Sequence, residues 1–357
     1  MMMDWDERAL SGFWVAFIAC SVMTMDAVRA VVPAWVRGVV RRVAARGKDE
    51  VDDDDEGGGG GGGGGGGRRG SKASSSSSSS KMEVIVRVVK AVLTLRVPHR
   101  WFQHFYVVGA GVNARTLYVA LARASSVKAH NVYYVVYALV LFQVHLFRRL
   151  YESVFVSVYS SEARMHVAAY ALGLAYYACA SQSWASAASP PPPTTMSRGA
   201  KDMTLDQTFE FEGAISQLAC VALAVVGTAL FIVGNVNQYR CHVILANLRR
   251  GKRSRDAPTV RSYAIPRGGW FERFSCAHYT AEIVLYIGLL AIVVPSRVHA
   301  RLDADAFARV RAPILLVCAV IANLAVAARA HHAWYIEHFP RTYPRHRTAL
   351  FPSFTSV

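Results

Sequence analysis

Polar and ionisable residues in the second half of the chain gather at the ends of apolar segments. Residues 234–282 begin where one apolar run ends, pass through a cluster of arginines and lysines, and enter the next apolar run with a carboxylate, Glu282. Desolvation disfavours polar groups at such positions unless they serve a purpose. A polar, aromatic-rich stretch between two apolar runs therefore predicts a ligand site at a membrane surface.

The basic residues of this stretch allow two explanations. They fit the excess of positive charge on cytosolic loops and the attraction of such loops to anionic lipid. They also fit a phosphorylated cofactor, because the arginine side chain matches phosphate with a fork of donors. The basic residues are Arg240, Arg249, Arg250, Lys252, Arg253 and Arg255.

Common nucleotide-binding signatures do not occur in the sequence. There is neither a glycine-rich dinucleotide fingerprint after a strand nor a phosphate loop, and the IPRGG run at 265–269 is typical of a turn. We therefore expect no Rossmann domain. Any dinucleotide would be held between membrane helices and their cytosolic loops.

Three further groups of side chains could do chemistry. Glu282 fits either a functional carboxylate or a structural salt bridge. His331, Tyr335 and His338 fall on one helical stripe, but no HExxH or similar pattern accompanies them, so we expect polar contacts to a cofactor and no metal. In the run HLFRRLYE at 145–152, the arginines fit a membrane boundary, whereas Tyr151 and Glu152 are harder to explain that way.

The composition indicates the elements that position these groups. Of the 357 residues, 53% are hydrophobic and the net charge is +16. Apolar stretches of about 20 residues recur, which indicates a polytopic membrane protein. The basic residues fall between those stretches, so we expect no nucleic-acid partner. Six cysteines show no CxxC or metal spacing and are expected to be reduced and mostly buried.

The predicted fold is all-α, with about seven transmembrane helices. The first is expected to be a membrane helix and not a cleaved signal peptide, because acidic residues precede it. Basic flanks then place the C-terminus and the cofactor site on the cytosolic side. The predicted spans are residues 10–25, 101–121, 131–147, 165–184, 214–233, 281–294 and 313–330.

Low-complexity sequence divides the chain. Residues 1–47 form the first helix with a basic flank, and residues 48–81, with aspartate, glycine and serine runs, are expected to be a solvated linker. Residues 82–357 form the membrane domain, which opens with a helix at 82–97 that either lies on the membrane surface or leads into the next span. Its cofactor-binding part is expected from about residue 234 to residue 357.

Several ordered motifs resemble the steroid 5α-reductase family. They are YRCHVILANLR at 239–249, YAIPRGGWFERFSCAHYTAEI at 263–283 and HHAWYIEHFPRTYPRHRTALFP at 331–352. VPHRWFQHFY and FVSVYS resemble its polyprenol reductase branch. The resemblance implies a seven-span endoplasmic reticulum enzyme that reduces a carbon–carbon double bond with NADPH, held between the last helices and the cytosolic loops.

The resemblance also implies residue roles. Arg249, Tyr263, Glu282, His331 and Tyr335 match family positions by identity. Gln238 and His242 stand where the steroid enzymes have Asn and Asp, Ala264 replaces an Arg, and His278 replaces an Asn. The implied cofactor-binding set is Gln238, His242, Arg249, Tyr263, His278, Glu282, His331 and Tyr335.

The position of Leu146 bears on the substrate. The steroid enzymes carry a tyrosine there that helps polarise the substrate ketone, so its absence argues against a steroid. The polyprenol branch saturates the α-isoprene unit to make dolichol for N-glycosylation. Hydride adds readily to a double bond conjugated with a carbonyl, which favours the aldehyde, polyprenal, over the alcohol. The candidate proton donors are Tyr151, Glu152, His145 and His104.

Two other functions remain open at this stage: a steroid 5α-reductase, and a non-catalytic membrane scaffold or lipid transporter. The replacements at Gln238, Ala264 and His278 favour the scaffold, whereas the matches at Arg249 and Glu282 oppose it. The expected partners are a polyisoprenoid lipid and the bilayer. No protein partner is indicated by the sequence.

Overall fold

The computed structural model describes residues 7–22, 95–126, 131–188, 206–253, 263–295 and 304–351. The predicted linker at 48–81 and nearly all of the predicted surface helix at 82–97 lie outside these ranges. Within them the chain is mostly helical, as the sequence predicts. The helices are α1 (Glu7–Val22), α2 (Gln103–Ser126), α3 (Asn131–Tyr151), α4 (Val167–Ser186), α5 (Asp206–Arg253), α6 (Ala277–Val293) and α7 (Ala304–His338).

Three helical segments are long and apolar enough to cross a membrane: His99–Ala124, Gln217–Arg250 and Val310–His338. Helix α6 is apolar but shorter. The chain is thus a helical membrane protein. Each of the seven predicted spans overlaps one of these helices, while the prediction that all seven cross the membrane remains a prediction.

Helix α5 extends much further than the sequence suggested. The sequence predicts a loop from residue 234, but the helix continues to Arg253 and carries the first basic residues on its last turns. The side chain of Arg249 donates to the backbone carbonyl of Val158 at 2.9 Å, and Arg250 donates to that of Val156 at 3.1 Å. These contacts hold the extended end of α5 against the segment that follows α3.

Short non-helical elements complete the fold. Strands β1 (Arg96–Pro98) and β2 (Arg164–His166) form an antiparallel pair that joins the start of α2 to the start of α4. No pattern in the sequence predicts so short a pair. The predicted turn at IPRGG is confirmed: Gly268 and Gly269 have positive φ angles of 97° and 55°, which glycine adopts without steric cost.

Helices α5 and α6 pack so closely that glycine is required along their contact. A Cβ atom at Gly234 would lie 2.7 Å from the carbonyl oxygen of Ala281 and 2.8 Å from Leu285. At Gly227 a Cβ atom would lie 2.6 Å from the carbonyl oxygen of Gly288. These short approaches bring the polar end of α5 against the first turns of α6.

Helix α1 is fixed to the rest of the bundle by Trp14. The indole is completely buried, and its N–H donates to the hydroxyl of Ser183 on α4 at 2.8 Å. The ring also packs edge-on against Tyr176, with centroids 5.4 Å apart. Trp14 thus combines a large apolar contact with a satisfied buried donor.

Replacing Trp14 with alanine is expected to lower the free energy of unfolding by about 3–5 kcal/mol, since a large buried side chain leaves a cavity. Thermal unfolding of the purified protein in detergent measures the effect. Val15→Ala is the matched control, because Val15 is the next residue and is 55% exposed. Equal melting temperatures for the two variants would show that Trp14 does not anchor α1.

Candidate active site

A cluster of buried and half-buried charged and polar side chains lies where α3 meets α2, α5 and α6. On α3 the contributing residues recur at intervals of three and four, which places them on one face of the helix. The same spacing holds on α5. We call this set the polar cluster; its members are Tyr106, His145, Arg148, Arg149, Glu152, Asn235, Gln238, His242 and Glu282.

Glu152 is the centre of the polar cluster and is fully buried. Its carboxylate accepts hydrogen bonds from the guanidinium groups of both Arg148 and Arg149, the latter at 2.5 Å. The Nδ1 atom of His242 lies 2.7 Å from the same carboxylate and donates to it. One carboxylate therefore compensates two arginines and joins α3 to α5.

The charges around Glu152 fix its protonation state. Burial alone would raise the pKa of the Glu152 carboxyl. The hydrogen bond with His242 and the positive charges of Arg149 and Arg148 outweigh burial and hold that pKa well below its usual range. Glu152 is consequently ionised throughout the physiological range of pH.

Arg148 extends the cluster from α3 to α6. Its Nε donates to the side-chain oxygen of Asn235 at 3.0 Å, and a terminal nitrogen donates to the side-chain oxygen of Gln238. The Gln238 amide in turn donates to the carboxylate of Glu282. An arginine on α3 thereby sets the orientation of a carboxylate on α6.

His145 is fully buried and only half satisfied. Its Nδ1 lies 3.1 Å from the side-chain oxygen of Asn235, while its Nε2 has no hydrogen-bond partner among the described residues. Oε1 of Glu282 lies 3.7 Å from that nitrogen. A buried nitrogen without a partner is costly, so a polar ligand atom would be accommodated there.

One side of the polar cluster remains accessible. The side chains of Arg148, Arg149, His242 and Glu282 keep exposed fractions of 17%, 14%, 14% and 15%, whereas those of His145 and Glu152 keep none. We call the space that these four side chains border the recess. It presents two guanidinium groups, one imidazole and one carboxylate to an incoming molecule.

A second group of predicted residues lies beside the recess and is mainly aromatic. The rings of His242 and His278 are 5.8 Å apart, His278 and Tyr279 are 4.2 Å apart, and Tyr279 and His331 are 6.0 Å apart. These contacts lead from α5 across α6 to α7. His278 and His331 are thus connected to His242, which borders the recess, by a series of ring contacts.

The remaining cofactor candidates continue this path toward the C-terminal segment. Tyr263 packs edge-on against Trp334 with ring centroids 5.1 Å apart, and Tyr335 stacks on Tyr343 at 5.5 Å. Arg249 is exposed at the end of α5. The structure therefore brings Gln238, His242 and Glu282 into the polar cluster and joins His278 and His331 to it through ring contacts, whereas the contacts given above for Arg249, Tyr263 and Tyr335 are with other residues.

The four candidate proton donors separate into two pairs. His145 and Glu152 belong to the polar cluster. His104 is paired with the hydroxyl of Tyr170 at 2.9 Å, and Tyr151 is 51% exposed with its ring against Phe155. The first pair thus contacts residues that border the recess.

Sequence reasoning missed four members of the polar cluster. Arg148 and Arg149 were explained by the membrane boundary, although their spacing from His145 and Glu152 predicts a shared helical face. Asn235 is one of several polar residues that follow the predicted span 214–233, and its spacing alone does not distinguish it from the others. Tyr106 gave no signal, because nothing in the sequence shows that α2 meets α3 at this level.

Helices α5, α6 and α7 lie in a part of the chain that matches a known protein family. A family model described as 3-oxo-5-alpha-steroid 4-dehydrogenase matches residues 205–355, which include α5, α6 and α7. The matched region supplies Gln238, His242 and Glu282 of the polar cluster. The fold and the site thus define a helical membrane oxidoreductase.

The chain belongs to the steroid 5α-reductase family, in its polyprenal reductase branch. It is 34% identical to polyprenal reductase 1 of Arabidopsis thaliana over 278 residues, which cover 72% of this chain and 81% of the relative. It is 30% identical to the polyprenal reductase of Caenorhabditis elegans, covering 72% and 79%. For the Mus musculus polyprenal reductase the identity is 29%, covering 72% and 78%.

Proposed function

We propose that this protein is an NADPH-dependent reductase that saturates the α-isoprene double bond of polyprenal, a step toward dolichol for protein N-glycosylation. The observation that carries the proposal is the recess. Two arginines, the imidazole of His242 and the carboxylate of Glu282 border it, and the unpartnered Nε2 of the buried His145 lies 3.7 Å from that carboxylate. Its relatives are named for reduction of polyprenal.

The chemistry of the substrate fits such a recess. In polyprenal the α double bond is conjugated with the aldehyde, so hydride addition at the β-carbon moves negative charge to the aldehyde oxygen. Guanidinium groups held in a low-dielectric setting stabilise that charge more strongly than water does. Arg149 borders the recess and is positioned by Glu152 and Tyr106.

The residues present fit a phosphorylated dinucleotide. The carboxylate of Glu282 offers an acceptor at the recess, and the exposed guanidinium of Arg249 suits a phosphate. When bound, NADPH supplies the hydride. We propose that Gln238, His242, His278 and Glu282 hold its reactive end. Tyr263, His331, Tyr335 and Arg249 would then hold the remainder.

The membrane arrangement is also part of the proposal. We place all seven helices across the endoplasmic reticulum membrane, with the C-terminus and the cofactor site in the cytosol. The basic residues that end α3 and α5 support this orientation, since both helices finish on the recess side.

A steroid is the second candidate substrate, because the matching family model is described as a steroid dehydrogenase. The structure gives less support to it. Leu146 is fully buried, and its Cδ2 would lie 3.1 Å from a Cβ atom added at Gly109. This position therefore packs α3 against α2 and presents no hydroxyl to a ketone.

The test is reduction by the purified protein of polyprenal, polyprenol and a 3-oxo-Δ4 steroid, each offered with NADPH in detergent. NADPH oxidation is followed by absorbance, and lipid products are identified by mass. We expect turnover with polyprenal alone. Turnover with the steroid alone would place the chain in the family but overturn the proposed substrate, and turnover of polyprenol without an aldehyde would overturn the proposed chemistry.

A further inference from the structure

We propose that the recess selects a lipid with an uncharged head group and excludes one with a phosphate, with Glu282 as the specificity-determining residue and Glu152 supporting it. The inference deepens the proposed function and rests on it. The same isoprenoid chain can carry an aldehyde, an alcohol or a phosphate at its end, so the tail does not distinguish these lipids. Discrimination among them comes from the groups that meet the head.

Two arginines at the recess would by themselves favour a phosphate. Each guanidinium offers a planar fork of donors that matches phosphate oxygens. Arg148 and Arg149 both border the recess, with exposed fractions of 17% and 14%. If their charges were uncompensated, a polyisoprenyl phosphate would bind here more tightly than the aldehyde. The contacts of the two arginines decide the outcome.

Both guanidinium groups are already engaged by one carboxylate. The buried Glu152 accepts hydrogen bonds from Arg148 and from Arg149, the latter at 2.5 Å. Arg148 donates in addition to the side-chain oxygens of Asn235, at 3.0 Å, and Gln238. A phosphate could take over these arginines only by displacing Glu152. The displaced carboxylate would then be buried without compensation, which is costly.

Glu282 adds a second negative charge on the open side of the polar cluster. Its side chain keeps an exposed fraction of 15%, and its carboxylate accepts a hydrogen bond from the Gln238 amide. The oxygen of the same amide accepts from Arg148, so Gln238 holds the carboxylate in place at the border of the recess. An incoming phosphate would meet this carboxylate, and like charges repel more strongly in a partly buried site than in water.

The charges of the polar cluster balance one another. The cluster contains two guanidinium groups and two carboxylates, whereas its imidazole and phenol side chains are ordinarily uncharged or mostly uncharged near pH 7. An aldehyde enters without charge, and negative charge develops on its oxygen only during the reaction. A phosphate brings about 1.5 to 2 negative charges at once. The recess therefore suits a head group that accepts a hydrogen bond and carries no charge.

The test offers polyprenal and polyprenyl phosphate of equal chain length together to the purified full-length protein in detergent, without NADPH. The lipid retained by the protein is quantified by mass, and the ratio of phosphate to aldehyde is the readout. Glu282→Gln keeps the shape of the side chain and removes its charge, so we expect this ratio to rise at least ~10-fold over the wild type. An unchanged ratio would overturn the inference.

Glu162→Gln is the matched control. It removes one exposed carboxylate outside the polar cluster and so changes the net charge of the chain by the same amount. Its ratio should equal that of the wild type. An equal rise in Glu162→Gln and Glu282→Gln would show that the overall basic charge sets the preference, and it would overturn the role of the recess.

Inhibition of the wild-type enzyme separates this inference from the proposed function. An excess of polyprenyl phosphate should leave the rate of polyprenal reduction by NADPH unchanged. Inhibition of an active wild type that is competitive with polyprenal would overturn the selectivity alone. A wild-type protein that does not reduce polyprenal would instead refute the proposed function.

Discussion

Replacing Glu152 with glutamine is expected to abolish reduction of polyprenal and to destabilise the protein. Glutamine keeps the shape of the side chain but removes the charge that compensates Arg148 and Arg149. Removing one partner of a buried ion pair typically costs about 3–5 kcal/mol, because the remaining charge is buried without compensation. The two guanidinium groups would also lose the orientation that defines the recess.

The loss of stability in Glu152→Gln should depend on pH, and its direction follows from the lowered pKa of Glu152. The pKa of Glu152 is lower in the folded protein than in the unfolded chain, so the carboxylate contributes stability above its unfolded pKa. That contribution disappears as the pH falls through the folded pKa. The stability difference between wild type and Glu152→Gln should therefore shrink under acidic conditions.

Thermal unfolding at neutral and acidic pH, together with NADPH oxidation, measures both effects. The matched control is Glu162→Gln, since Glu162 lies in the same connection and is exposed. Its stability and activity should equal those of the wild type. A Glu152→Gln protein with the melting temperature and turnover of the wild type would show that the polar cluster does not organise the site.

Replacing Gly234 with alanine is expected to separate α5 from α6 at the recess. The added methyl group would lie 2.7 Å from the Ala281 carbonyl oxygen and 2.8 Å from the Leu285 backbone nitrogen, so backbone must move. Overpacking of this kind costs about 1–3 kcal/mol. Gly234 directly precedes Asn235 and lies one turn before Gln238, so the displacement would reach both.

The effect on catalysis should exceed the effect on stability. Misplacement of a catalytic group by about 1 Å can lower turnover roughly 100-fold. Gly111→Ala is the control, because nothing lies within 4 Å of a Cβ atom at that helical position. That variant should be as active as the wild type, and slightly more stable through better helix propensity. Equal turnover of both variants would contradict the close packing at Gly234.

Local sequence patterns predicted the helices well, because each apolar run is long and flanked by charge. Helix α6, for example, was expected at 281–294 and is observed at Ala277–Val293. The extension of α5 to Arg253 was missed, because a basic stretch after an apolar run is typical of a loop. Only contacts such as that of Arg249 with Val158 show that the helix continues.

Part of the candidate site was also predicted from local sequence patterns. Glu282, Gln238 and His242 stood out as polar groups at the ends of apolar runs, and the structure places them together. The place of Tyr106 in the polar cluster depends on how α2 packs against α3, which no local pattern specifies. The sequence analysis explained Arg149 by a membrane boundary, because charged residues are common at the ends of membrane helices. Its contact with Tyr106 becomes visible only in the structure.

Isotope transfer tests the central claim most directly. The purified protein is supplied with polyprenal and NADPH that carries deuterium at the transferable position, and the lipid product is analysed by fragmentation mass spectrometry. The proposed function predicts one deuterium at the β-carbon of a saturated α-isoprene unit. Deuterium at the former aldehyde carbon, with the double bond intact, would show carbonyl reduction and contradict it.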